Sequence, residues 1–115
     1  MTRLTDLDHL GFSLFDIFNY PYEQNPDHFD PVKGQQMYKD HLEQWVLAEE
    51  LGFDGMFLSE HHFTAYNILP SPNLMVAALA ARTKRIRLGA MVNVVPFHEP
   101  LRLAEEAAML DLLSN

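Results

Sequence analysis

Ser59-Glu60-His61-His62-Phe63 places a carboxylate and two imidazoles directly after the apolar run Met56-Phe57-Leu58. A polar, proline-broken segment follows from 64 to 72. Ionisable groups at the end of a buried strand suit three kinds of site. They can work around a bound organic cofactor, with a histidine carrying protons near neutral pH. They can ligate a metal. They can also form a satisfied structural cluster, with Glu60 either orienting His61 or bonding backbone groups.

The metal reading needs converging ligands. Adjacent residues of an extended chain point to opposite sides, so at most two of Glu60, His61 and His62 reach one ion, joined by His98 or Glu99. No H-x-H or H-E-x-x-H pattern occurs, and no metal site is expected. His9, His28 and His41 are read as solvated.

The elements that must position these groups follow from periodicity. Residues 10–15 alternate and form a first strand. Residues 16–34 are irregular, with three prolines and the aromatics Phe18, Tyr20, Tyr22 and Phe29, a length that favours a functional connection. A helix is predicted over 35–51, where Tyr38, Leu42, Trp45, Ala48 and Leu51 make one stripe and Gly52 supplies a left-handed end. Residues 53–59 form a second strand, apolar on both faces as in a doubly covered parallel sheet. Ser71-Pro72 opens a second helix running to 82. A third strand spans 86–95, and Pro100 starts a third helix over 101–113, with Arg102 and Glu106 paired one turn apart.

The order is β-α-β-α-β-α, with parallel strands and right-handed crossovers. Connections after the strands are long, and those before them are short. Glu60, His61, His62, Asn93, His98 and Glu99 therefore share the C-terminal edge, the functional edge of parallel α/β proteins. Three strands leave two open edges, and no G-x-G-x-x-G or Walker sequence marks a doubly wound nucleotide fold. The expected architecture is α/β: the first three units of a (β/α)8 TIM barrel, with residues 1–115 a single partial domain.

Composition limits the partners. With 115 residues, 48% hydrophobic and 21% charged, the chain is in the globular range. A net charge of −8 argues against nucleic acid. Lys84, Arg85 and Arg87, the one basic cluster, are read as a solvated strand end. No apolar run approaches the roughly 18 residues of a membrane span. The absence of cysteine removes disulfides and thiolate chemistry and agrees with a cytoplasmic protein.

The segment from Gly52 to Phe63 resembles the second strand of the bacterial luciferase-like flavin monooxygenases. Thr83-Lys84-Arg85-Ile86-Arg87-Leu88-Gly89, Val95-Pro96, Pro100-Leu101-Arg102 and Ala104-Glu105-Glu106 resemble their third unit, and Leu110 to Ser114 is similar to the approach to the fourth. The order and spacing of these motifs over residues 9–115 carry the resemblance. It implies a barrel binding reduced FMN, or a deazaflavin in related reductases, that oxidises a small organic substrate with oxygen. It implies an acid-base role for His61 beside the flavin and a non-prolyl cis peptide at Met91-Val92. On this reading Met91, Val92, Glu60 and Asn93 contact the cofactor, while Phe15, Phe18, His62 and Phe63 line the substrate pocket. A flavin reductase supplies electrons and the protein is a homodimer. The family places the flavin phosphate on later units, so this chain alone is expected to be inactive. A metal-dependent TIM-barrel hydrolase and a noncatalytic flavin-binding subunit are the alternatives.

Overall fold

A computed structural model describes residues 10–22 and 25–114. His9 lies outside the described residues. Three strands, β1 (Ser13–Asp16), β2 (Gly55–Leu58) and β3 (Arg87–Ala90), pair in parallel in the order β1-β2-β3. They alternate with α1 (Pro31–Glu50), α2 (Pro72–Ala80) and α3 (Pro100–Ser114). This is the expected β-α-β-α-β-α order, with shorter strands.

Among the described residues, the sheet is covered on one face, not two. Met56 and Leu58 of β2 enter a core with Trp45 and Ala48 of α1 and Met75, Val76 and Leu79 of α2. Leu14, Leu88 and Leu110 of α3 pack partly against it. The alternate residues Ser13, Phe15 and Arg87 point the other way and are exposed. Right-handed crossovers between sequential parallel neighbours bring α1 and α2 to the same side, and Leu110 of α3 packs against the same core. The apolar character of both strand faces therefore does not mean that both are buried here.

α1 begins four residues earlier than the periodicity predicts. Asp30 is its N-cap, accepting the Val32 and Lys33 N–H groups at 2.9 and 3.2 Å, and Pro31 follows as the first helical residue. Gly52, at φ +93°, ends the helix in the left-handed region, where a Cβ would be strained. Ser71 holds the N-cap position of α2, but its side chain makes no capping bond. Arg102 and Glu106 of α3 pair at 3.1 Å.

At the N-terminal edge of the sheet, the Glu49 carboxylate collects the backbone N–H groups of Lys84, Arg85 and Ile86, and the Arg85 guanidinium donates to the Glu49 carbonyl. These bonds tie the end of α1 to the start of β3. The basic residues Lys84, Arg85 and Arg87 are exposed, as expected, while the backbone that carries the first two belongs to a built turn.

Candidate functional site

The C-terminal edge is assembled from three connections. The segment after β1 is pinned rather than free. Tyr20 N–H donates to the Ala65 carbonyl at 2.9 Å and Ile68 N–H to the Phe18 carbonyl at 2.9 Å. The Tyr38 hydroxyl also donates to the Ile68 carbonyl. Ser59 Oγ donates to the Asp16 carbonyl at 2.8 Å and accepts from Asn67 Nδ2 at 2.5 Å. These bonds zip the connection after β1 to the one after β2. Between them lies a cleft of about 360 Å³, lined among others by Tyr20, Phe29, His61, Phe63, Thr64 and Asn67.

His61 and His62 diverge as neighbours on an extended chain should. The His61 ring meets the Tyr66 ring edge-on at 5.3 Å and faces the cleft. Phe63 lies on the same cleft, its ring fully exposed and its backbone left-handed at φ 53°, an uncommon conformation for an aromatic residue. His62 turns to the other side. Its Nε2 is 2.8 Å from Glu60 Oε1, and its ring stands edge-on to Phe97 at 4.8 Å.

Glu60 joins the two sides of the site. Its side chain is 0% exposed. Besides His62, it accepts His98 Nε2 at 3.1 Å on each oxygen and the Val94 N–H at 2.8 Å on Oε2. Of the two expected roles, it bonds a backbone group and does not pair with His61. An ionised carboxylate is acceptor-only, so both imidazoles present Nε2–H to it. His98 comes from the connection after β3, 38 residues along the chain.

That connection starts where Met91 N–H bonds the Leu58 carbonyl at 2.8 Å. The Met91-Val92 peptide is cis, as the resemblance implies. Met91 and Val92 are exposed apolar residues at the edge of the open sheet face. Asn93 follows, and its Oδ1 is buried with no hydrogen-bond partner. Gly89, just upstream, leaves room for the Phe57 ring, which a Cβ would meet at 3.2 Å.

The remaining expected site residues separate. Phe15 stands half-exposed on the open face of the sheet. Phe18 is 0% exposed inside the core, against Tyr38, His41 and Trp45. His41 is not solvated. Its Nδ1 lies 2.7 Å from Asp16 Oδ2, which also accepts the Trp45 indole N–H at 2.7 Å. His28 is exposed. Among the described residues, no group of three His, Asp or Glu side chains is arranged to hold a metal. No described helix is long and apolar enough to cross a membrane.

Two carboxylates at this edge are tuned by their partners. Burial alone would raise the Glu60 pKa, but the Val94 N–H and then the two imidazoles outweigh it and hold the carboxyl below its ordinary 4.5. For Asp16, burial is likewise outweighed by the His41 hydrogen bond and charge and by the Trp45 N–H, and the pKa falls below 3.8. A depressed folded-state pKa contributes stability above the unfolded value and loses it as pH falls through the folded one. Unfolding midpoints in urea should therefore hold above about pH 5 and drop below about pH 4. Asp16→Asn and Glu60→Gln should each flatten that drop; an unchanged acid limb in both would rule out this account.

Comparison with known proteins gives the constellation its context. Residues 13–115 match the family described as luciferase-like monooxygenase. The oxygenase component of flavin-dependent trigonelline monooxygenase from Acinetobacter baylyi is 40% identical over 86 residues, 75% of this chain and 24% of that protein. The alkanal monooxygenase alpha chain of Photobacterium leiognathi is 39% identical over 81 residues, 70% of this chain and 23% of that one. Among solved structures, the oxygenating constituent of 3,6-diketocamphane monooxygenase from Pseudomonas putida, in complex with FMN, superposes with a TM-score of 0.73 at 27% identity. The match covers 90% of this chain and 26% of that one. The chain spans about a quarter of the length of these relatives. The family match takes in all three strands and the whole Glu60 cluster, and the chain belongs to the luciferase-like monooxygenase family.

Proposed function

We propose that this chain supplies the first three units of a (β/α)8 barrel that binds a reduced flavin and oxidises a small organic substrate with oxygen. The observation that carries the reading is that the exposed Met91-Val92 surface, the orphaned Asn93 oxygen and the His61 cleft all follow the C-terminal ends of paired parallel strands and so share one sheet edge. A flat ring system with N–H donors fits an apolar surface bordered by an unpaired acceptor. One-sided helices on a sequential parallel sheet fit a barrel better than a doubly wound sheet, which is covered on both faces.

The reduced flavin, when bound, delivers electrons to oxygen. The chain's own residues do the rest. Met91 and Val92 would support the ring, and Asn93 Oδ1 would accept one of its N–H groups. His61 moves a proton at a ring nitrogen on the cleft side, and Phe63 and Phe15 limit water. Reduced FMN is the proposed cofactor, with a deazaflavin as the variant. A separate flavin reductase is the electron source, and the protein works in the cytoplasm. The homodimer is proposed to use α2 and α3, the latter exposing Leu101, Met109, Leu112 and Leu113. Ala107→Glu in the complete protein should then shift sedimentation toward monomer. Further βα units are needed for turnover, because three strands leave the outer edges of β1 and β3 unpaired by one another.

Titrating the complete protein with reduced FMN and with a reduced deazaflavin tests the reading, since saturable quenching of Trp45 or other intrinsic fluorescence is expected for one of them. Saturable zinc binding without flavin binding would favour the hydrolase instead. Flavin binding without oxygen consumption would favour a noncatalytic subunit.

A further inference from the structure

We propose that Glu60 is a positioning residue that holds the connection after β3 in place through His62, His98 and the Val94 N–H, rather than contacting a ligand itself. The presentation half of the proposal rests on reading Met91 to Asn93 as a flavin-binding surface. The clamp half rests on geometry alone.

Glu60 has no capacity left for a ligand. Its side chain is 0% exposed, and both oxygens already accept protein donors. Whatever it does, it does through the groups it holds. Those groups come from two places: His62 from its own segment, and His98 and Val94 from the connection after β3.

That connection has little else to hold it. The short helix Val95–Phe97 has no buried residue. Met91, Val92, Val95 and Phe97 are all substantially exposed, so apolar burial does not fix their positions. Among the described residues, and apart from turn bonds within 94–98, its anchors are the Met91 N–H on Leu58, two donors on Glu60 (the Val94 N–H and His98 Nε2), and the Phe97 ring against His62. Met91, Val92 and Asn93 lie between the Leu58 and Glu60 anchor points. Moving the Glu60 anchor would move the Asn93 oxygen and the apolar surface beside it. The neighbouring polar side chains are engaged elsewhere: Glu99 caps α3 through the Arg102 N–H at 2.8 Å, and His61 faces Tyr66.

Hydrogen bonds to a buried charge are also stronger than neutral ones and costly to leave half-made. Glu60→Gln replaces one acceptor oxygen by a donor facing the Val94 N–H or an imidazole N–H. His98→Ala removes one donor outright. His98→Gln keeps a donor at the same position.

The test uses the complete protein in these three variants, with two readouts. Amide hydrogen exchange without flavin should show loss of protection at Val94 in Glu60→Gln, with the Met91 and His61 amides still protected. Imidazole Nε2–H resonances of His62 and His98 should be visible and slowly exchanging in the wild type, and lost in Glu60→Gln. Titration with reduced FMN should show affinity falling by about tenfold in Glu60→Gln and His98→Ala, the equivalent of about one such hydrogen bond. His98→Gln should stay within about twofold, a rescue that merely filling the space would not give. Wild-type affinity in Glu60→Gln and His98→Ala overturns the proposal. So does a uniform loss of protection across the sheet, which would make Glu60 a general fold residue. If the wild type binds no flavin, the presentation half falls with the proposed function, and selective loss of Val94 protection in Glu60→Gln marks that failure as distinct from failure of the clamp.

Discussion

Phe18→Ala is expected to lower the stability of the protein by about 3–5 kcal/mol, the usual cost of emptying a buried aromatic site. Phe18 lies in a connection, where aromatic residues are normally exposed or functional. Here its ring is 0% exposed. It meets His41 edge-on at 4.1 Å and tilts against Tyr38 at 4.7 Å and Trp45 at 6.2 Å. Those partners all come from α1, so removing the ring opens a cavity between that helix and the segment leaving β1. The cavity would border the Asp16 bonds to His41 and Trp45, so the loss should not be relieved by local collapse. Urea unfolding followed by circular dichroism reads the change directly. As a substrate-pocket residue, Phe18 would behave differently: KM would rise and the unfolding midpoint would hold. That second pattern would overturn the core assignment.

Local signals in the sequence predict the elements because their causes are local. The Tyr38, Leu42, Trp45 and Ala48 stripe finds the buried side of α1, and Gly52 finds its end. Pro72 and Pro100 find two helix starts. The start of α1 is missed, although Asp30-Pro31 carries the same signature as Ser71-Pro72, because Pro31 is the third proline of a stretch that reads as one irregular connection. β3 is overextended for a different reason. Residues 91–95 are as apolar as a strand apart from Asn93, but the chain leaves the sheet at Ala90 and exposes Met91, Val92 and Val95. Apolar composition alone does not distinguish a buried strand from a surface kept apolar for a ligand. The partnerships within the site are the least legible part. Glu60 and His98 are 38 residues apart, and Asp16 and His41 are 25 apart. Nothing in the spacing says which carboxylate takes which imidazole; that follows from how β1, β2 and β3 align. Asn93 stands out in the sequence by its place on the C-terminal edge, whereas its lack of a partner is visible only in three dimensions.

His61→Ala is expected to reduce turnover by about 10²–10⁴-fold, the range for loss of a general acid-base group, while leaving the fold intact. The two histidines make a natural control for each other. His62 is tied into the Glu60 cluster, so its loss would disturb that cluster as well as any chemistry. The His61 side chain has one ring contact, the edge of Tyr66 at 5.3 Å, and otherwise faces the cleft. Its structural hydrogen bond, to the Leu69 carbonyl at 3.1 Å, is made by the backbone N–H and survives the substitution. The unfolding midpoint should therefore move little, and flavin affinity should change less than turnover. Because the cleft is about 360 Å³, the alanine variant should admit added imidazole, which would restore part of the rate in proportion to its concentration. Turnover within a factor of about two of wild type would remove His61 from the chemistry, since a proton carrier in a slow step cannot be deleted so cheaply. Loss of turnover with an equal loss of flavin binding would instead make it a binding group. Only a fall in turnover with binding and stability retained fits a proton carrier at this position.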